Sequence, residues 1–238
     1  MIVALKLPVV AITPVTTLDW PGKICATFFV AQCPWSCSYC HNTKSLSGLA
    51  VKDVSEIEAF LKKRRNLLDG IVFSGGEPTL CPELPDAMRY VKAMGYGVAL
   101  HTGGPFPDRL AQLFLDNLVD WVGLDYKAPL NLYEAVTGDP TSSTSILESI
   151  KLIRESGVDY EVRTTVGSQI ASADIILQMA RELSSLGVRD WRLQQCRTGD
   201  GTKGFANSPP REVLNLWAEY ARNLIGITTR IRTEYDGE

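Results

Sequence analysis

The 238-residue chain carries 24 Lys and Arg against 27 Asp and Glu, a net charge of −3, with 45% hydrophobic residues and six cysteines. That length allows one large domain or two small ones, and a balance so near neutral gives no electrostatic case for nucleic acid or an anionic membrane. Met1–Val10 lacks the basic start and long apolar core of a signal peptide, and no apolar run approaches the roughly 20 residues that span a bilayer, so a cytoplasmic protein is expected.

Ile24–Ala31 is short, β-branched and aromatic, and reads as a buried strand. It leads directly into a loop that crowds Cys33, Cys37 and Cys40 into eight residues. Val54, Ile57, Leu61, Arg64 and Leu68 then fall near helical spacing, followed by a short apolar strand from Gly70 that ends in Ser74-Gly75-Gly76. The next helix places Leu84, Ala87, Met88, Val91 and Met94 on one face and stops at Gly95. The alternation continues with a strand at Tyr96–Thr102, a helix at Asp108–Leu118, a strand at Asp120–Asp125 and a helix at Ser142–Ser156. Val158–Val166 and Val188–Gln195 read as strands flanking a helix at Ala173–Leu186. A last helix follows Pro209-Pro210, and Thr228–Thr233 suits one more short strand.

Six βα units in series imply parallel strands joined by crossover helices in a single domain over 1–238, with a core at about 12–195 and a C-terminal helix and strand within 209–234. A doubly wound sheet and an incomplete (β/α) barrel both fit. Either gathers ligands at the C-terminal ends of its strands. The unusual residues sit at those ends: Cys33–His41, Ser74–Pro78, His101–Gly104, Asp125–Lys127, Arg163 and Gln194–Gln195.

In a reducing compartment, clustered thiols favour metal or redox chemistry over disulfides. Thiolates suit both zinc and iron–sulfur clusters. A structural zinc site needs a fourth protein ligand, and His41 is poorly placed to share a tetrahedron with the adjacent Cys40. Cys25, Cys81 and Cys196 lie in or beside strands and read as small buried hydrophobes. Glycines at Gly75 and Gly76 let a ligand approach the backbone, and Glu77 can accept from an ammonium group. Asp125 and Lys127 share one face of a strand and can address one ligand, or form an ordinary surface ion pair. Arg163 lies within an apolar strand and needs an anionic partner, either a ligand carboxylate or an internal acid. By alternation only one of Gln194 and Gln195 faces the strand-end site.

Cys33-x3-Cys37-x2-Cys40, with Tyr39 before the third cysteine, resembles the cluster loop of the radical S-adenosylmethionine (radical SAM) superfamily. Cys40-His41-Asn42 is similar to the activating enzymes of glycyl-radical enzymes. The run Thr17 to Lys23, containing Asp19-Trp20-Pro21-Gly22, is similar to the lead into the first strand in activators of anaerobic ribonucleoside-triphosphate reductase. Gln32 stands where that group usually has glycine, and the resemblance extends from about Ile12 to Gln195.

The resemblance implies an α/β fold, a partial (β/α)6 TIM-like barrel. It implies a [4Fe–4S] cluster held by Cys33, Cys37 and Cys40, with S-adenosylmethionine on the iron left open. The cofactor-binding residues it implies are Tyr39, Cys40 and His41 from the loop, Ser74, Gly75, Gly76 and Glu77 at the methionyl amino end, and Thr102. Asp125 and Lys127 would meet the ribose and carboxylate, with Arg163 and one of Gln194 and Gln195 completing the set. His101 stands where the activating enzymes have an acidic residue and Gly103 where they have Asn, so a cation site built on that acid has no counterpart acid here. Reductive cleavage of the cofactor would give a 5′-deoxyadenosyl radical that takes a glycine Cα hydrogen from a partner glycyl-radical enzyme, the anaerobic ribonucleotide reductase. A flavodoxin or ferredoxin would donate the electron. Two other readings stand beside this one. The first is a radical SAM enzyme acting on a small molecule, such as a 7-carboxy-7-deazaguanine synthase-like enzyme. The second is a metal-binding or electron-transfer module, which would have no use for the later strand-end groups.

Overall fold

The computed structural model describes residues 6–37, 39–40, 48–196 and 208–232. Eight strands form one sheet in sequence order: β1 (Val9–Thr16), β2 (Cys25–Val30), β3 (Gly70–Gly75), β4 (Gly97–Thr102), β5 (Trp121–Asp125), β6 (Asp159–Val166), β7 (Asp190–Gln195) and β8 (Thr228–Ile231). β1 pairs antiparallel with β2, and every later neighbour is parallel. Strand order equal to sequence order, with no reversal, curls the sheet one way. The result is the expected partial barrel, left open between β1 and β8, rather than a doubly wound sheet.

Helices cover the outer face: α1 (Val54–Arg64), α2 (Leu84–Ala93), α3 (Pro107–Leu115), a short α4 (Tyr133–Thr137), α5 (Ser142–Ser156), α6 (Ala173–Ser185) and α7 (Arg211–Ile225). Each longer helix buries a stripe at helical spacing, such as Ile176, Met179, Ala180 and Leu183 on α6, and leaves its charges outside. Asp53 caps α1 by accepting from the Ser55 amide at 2.7 Å, while Gly157 ends α5 in the left-handed region. α3 is shorter than its apolar spacing predicts because Asn117 adopts φ 53° and turns the Leu118 amide back to the Leu113 carbonyl.

Two elements departed from the sequence pattern. β1 was not anticipated, since Pro14 cannot donate to a ladder. It is tolerated because β1 is an edge strand whose register with β2 shifts between Thr13 and Thr16. α4 has only five residues, too few to display a helical period.

Alternate residues of the parallel strands face inward, and the inward set is not uniformly apolar. At the N-terminal end a small cluster of Trp20, Cys25, Val72, Ala99 and Trp121 plugs the interior. Trp20 stacks on Trp121 with ring centroids 6.5 Å apart, and a Cβ at Gly70 or Gly97 would collide with its ring. The segment around Asp19-Trp20-Pro21-Gly22 thus closes the floor of the barrel, and the space above it opens toward the strand C-termini. Among the described residues, no helix is long and apolar enough to cross a membrane. Trp20→Ala removes the plug and is expected to destabilise the fold by about 3–5 kcal/mol, read as a lower denaturant midpoint at unchanged m-value.

Candidate active site

The cysteine loop has little regular structure of its own, so its position depends on what it leans against. Trp35 is the anchor: it is 5% exposed, and its indole Nε1 donates to Asp139 Oδ2 at 3.0 Å. Its ring meets Tyr133 edge-on at 6.2 Å, and it packs so closely on Gly103 that a Cβ there would overlap it. The Ser36 amide donates to the Thr137 carbonyl at 2.9 Å, and a Cβ on Gly138 would strike the Ser36 hydroxyl. The Cys40 amide donates to the Cys37 carbonyl at 3.0 Å, closing the turn that carries these two thiols. Gly103 leaves the space that the Trp35 ring fills. Cys196, read as a core residue, is buried, but its Sγ lies 3.9 Å from the Tyr39 carbonyl, against the same loop.

The glycine pair after β3 docks on the backbone that feeds this loop. The Gly76 amide donates to the Val30 carbonyl at 2.6 Å and the Glu77 amide to the Gln32 carbonyl at 2.7 Å. A Cβ on Gly75 or Gly76 would overlap that backbone, and Gly75 has φ 110°. Glu77 is 2% exposed. Its Oε1 accepts from the Thr79 amide (3.0 Å), the Thr79 hydroxyl (2.5 Å) and the Thr102 hydroxyl (2.8 Å), and its Oε2 accepts from the Gly103 amide (2.9 Å). Burial pushes its pKa up despite these donors. The carboxylate expected to meet a ligand ammonium therefore ties the end of β3 to the end of β4. Ser74 is half-buried on the inward face, two residues beyond Val72.

On β4 it is His101 that faces inward. Thr102 faces the helices, its hydroxyl donating to Glu77 and accepting from the Gly104 amide at 2.9 Å. The Thr102 hydroxyl is thus engaged with Glu77 and Gly104, behind the strand end. His101 Nε2 lies 2.7 Å from the Asp19 carbonyl and its ring stands edge-on to Trp121. Burial, with Arg163 and Arg232 nearby, holds its pKa well below the usual histidine range, so the ring is neutral and Nε2–H donates.

Above it, Asp125 is shared by two cations: its Oδ2 lies 3.6 Å from Lys127 Nζ and its Oδ1 3.6 Å from Arg163 Nε. Lys127 reaches the cysteine loop, with Nζ 5.7 Å from the Trp35 ring centre. Burial opposes its charge, yet Tyr39, Asp125, Cys37 and Tyr133 around it keep its pKa well above the ordinary lysine value. The Arg163 guanidinium occupies the space that Gly123 leaves free, and its Nε is buried with no hydrogen-bond partner. Of the two glutamines, Gln194 faces inward and donates to the Thr165 hydroxyl, while Gln195 turns outward and donates to the Pro209 carbonyl at 2.9 Å.

Opposite charges line the rest of the chamber: Arg192 lies 3.2 Å from Glu161, and Arg232 donates to the Leu18 carbonyl and reaches Asp19 at 3.4 Å. Arg232 thereby bridges the open edge between β8 and the β1–β2 connection. His41, also assigned to the site from the sequence, lies outside the described residues. Trp35, Asp139 and Arg232 were missed. A bulky Trp between two cysteines was the one local signal.

The three thiols of one short loop, Cys33, Cys37 and Cys40, are of the type that holds an iron–sulfur cluster. Among the described residues, no three Cys, His, Asp or Glu groups gather to hold a metal ion. A four-iron cluster takes each thiolate on a different iron. Only the thiolate form of a cysteine binds iron, so loading the cluster releases the thiol protons. The unmet Arg163 Nε–H, aimed beside Asp125, is a standing demand for an anion such as a ligand carboxylate.

Comparison with known proteins agrees. The radical SAM superfamily profile matches residues 27–176. A Methanocaldococcus jannaschii protein named as a glycyl-radical enzyme activating enzyme is 30% identical over 187 residues, covering 74% of this chain and 75% of its own. The pyruvate formate-lyase-activating enzyme of Clostridium pasteurianum is 35% identical over 94 residues, 37% of this chain and 39% of that one. Among solved structures, Streptococcus suis SuiB bound to S-adenosylmethionine superposes with a TM-score of 0.62 at 13% identity, covering 85% of this chain and 48% of that one.

The neutral, half-buried His101 also sets a pH dependence. Its folded pKa lies below the unfolded value near 6.5, so the unfolded state binds the extra proton and stability falls as pH drops below about 6.5. His101→Asn should flatten that limb of a stability–pH profile measured by urea denaturation, with a slope difference of up to about 1.4 kcal/mol per pH unit.

Proposed function

The chain belongs to the radical SAM superfamily and uses a [4Fe–4S] cluster with S-adenosylmethionine. From that premise we propose that it activates a glycyl-radical enzyme, the anaerobic ribonucleotide reductase. What supports the reading is the meeting of Asp125, Lys127 and Arg163 with the anchored cysteine loop, in a chain 30% identical across three quarters of a protein named for glycyl-radical activation.

In this reading Cys33, Cys37 and Cys40 hold the cluster as thiolates. When bound, the reduced cluster and S-adenosylmethionine supply a 5′-deoxyadenosyl radical, the oxidant that takes a glycine Cα hydrogen. The chain's own part is to bind, orient and exclude water. Lys127 and Arg163 would meet the cofactor's carboxylate, with Asp125 between them able to accept from its hydroxyl or ammonium groups. Gln194 supplies a neutral amide from β7. Tyr39 and Ser74 border the same space, and Gly75 and Gly76 allow backbone contact. The Trp20–Trp121 plug shuts the far end of the barrel to water. The gap in the sheet leaves room for a glycine-bearing loop of the partner, and a flavodoxin or ferredoxin serves as electron donor.

Anaerobic reconstitution with iron and sulfide should give one cluster per chain and reductive formation of 5′-deoxyadenosine, and a glycyl radical signal should appear in the reductase on incubation. Cys37→Ala should abolish cluster and product, while Cys196→Ala should retain both. Cofactor cleavage without any radical on the reductase would transfer the activity to another substrate.

A further inference from the structure

The stretch Tyr133–Asp139 is assigned no role by the cofactor chemistry, yet it touches the cysteine loop at three points. Thr137 accepts from the Ser36 amide, Tyr133 meets the Trp35 ring, and Asp139 accepts from the Trp35 indole. The other faces of Trp35 touch Gly103 at the end of β4 and the Lys127 ammonium at the end of β5. One indole thus contacts the loop's support and a cation of the cofactor site together. Asp139 divides its work: Oδ1 accepts from the Thr141 amide and hydroxyl, each at 2.8 Å, at the start of α5, leaving Oδ2 for the indole. Lys127 Nζ also lies 3.6 Å from Asp125 Oδ2, so the cation beside the Trp35 ring is the one paired with the strand-end carboxylate.

We propose that Trp35 and Asp139 form a positioning pair: their hydrogen bond fixes the height of the cysteine loop against Lys127, and so sets how well S-adenosylmethionine spans the cluster and the strand-end cations. Neither residue touches the reacting atoms. The pair acts through the loop and Lys127. The inference rests on the cofactor assignment and not on the identity of the partner, so its test is indifferent to whether the reductase is the true substrate.

Two substitutions isolate the bond. Trp35→Phe keeps an aromatic ring on Gly103 and Tyr133 but removes the N–H. Asp139→Asn keeps the Oδ1 acceptor for Thr141 and turns an amide donor toward the indole. Each variant and the double variant are reconstituted anaerobically. Iron and sulfide content, the change in the reduced cluster's EPR spectrum on adding S-adenosylmethionine, and KM and kcat for 5′-deoxyadenosine release are then measured. Cluster content should stay at the wild-type level. KM for S-adenosylmethionine should rise about threefold to tenfold in each single variant, the effect of one hydrogen bond. The EPR change should need correspondingly more cofactor, and kcat should move less than about twofold on the same reasoning. The double variant should be no worse than either single one, because the same bond is lost once. Iron content falling in step with activity, an unchanged KM, or losses that multiply in the double variant would each overturn the proposal. If Trp35→Phe fails to load its cluster through poor packing, Asp139→Asn, which keeps the indole in place, decides the matter on the same readouts.

Discussion

A carboxylate buried to 2% exposure at the end of β3 is the point on which the open end of the barrel depends. Glu77 accepts four hydrogen bonds from within the chain, and one of them fixes the Gly103 amide. Gly103 in turn is the surface on which Trp35 lies, and Trp35 carries the cysteine loop and faces Lys127. An acceptor with that many donors tolerates little displacement, because every lost partner leaves a buried polar group unpaired at a cost of about 1–3 kcal/mol. The rigidity of Glu77 is thereby passed through a glycine and a tryptophan to the thiols.

Above the tryptophan plug the interior is charged rather than apolar, which is unusual for a space filled by side chains. Asp19, Asp125 and Glu161 face Arg163, Arg192 and Arg232, with neutral His101 among them. Most of these charges are matched, as burial requires. Arg163 is paired as well, with Asp125 at 3.6 Å and Glu161 at 4.0 Å, although its Nε–H makes no hydrogen bond. The same charges connect the sheet's two edges, since Arg232 on the β8 side reaches the Leu18 carbonyl and Asp19 on the β1 side.

Much of this was legible in the sequence. The βα alternation located six of the seven parallel strands to within two residues at either end, and flagged β8 as a possible short strand, because each strand is an apolar run bounded by glycine or by a helix stop. The clustered thiols and the polar residues at strand ends were visible for the same reason: they interrupt apolar patterns. β1 was not legible because Pro14 and its run of threonines lack a buried face, and pairing with β2 alone makes them a strand. Trp35 was passed over because nothing in the loop's own sequence says that Asp139, more than a hundred residues later, receives its indole. Nothing in the sequence said which of His101 and Thr102 faces the chamber, and the pleat of β4 turned His101 inward.

The sequence by itself determined the α/β class, the alternation of strands and helices and the crowding of thiols at Cys33–Cys40, because these follow from local periodicity and residue type. The order of the strands in the sheet came from the fold. Only the tertiary structure decided which side of each strand faces the chamber. It turned Gln194 and His101 inward, left the Arg163 Nε–H without a hydrogen bond, and tied Glu77 to Thr79, Thr102 and Gly103. Those outcomes depend on strand register and on partners distant in the chain. A shift of one residue reverses every side chain of a strand, and no local pattern around a pair of polar neighbours records which of the two is turned inward.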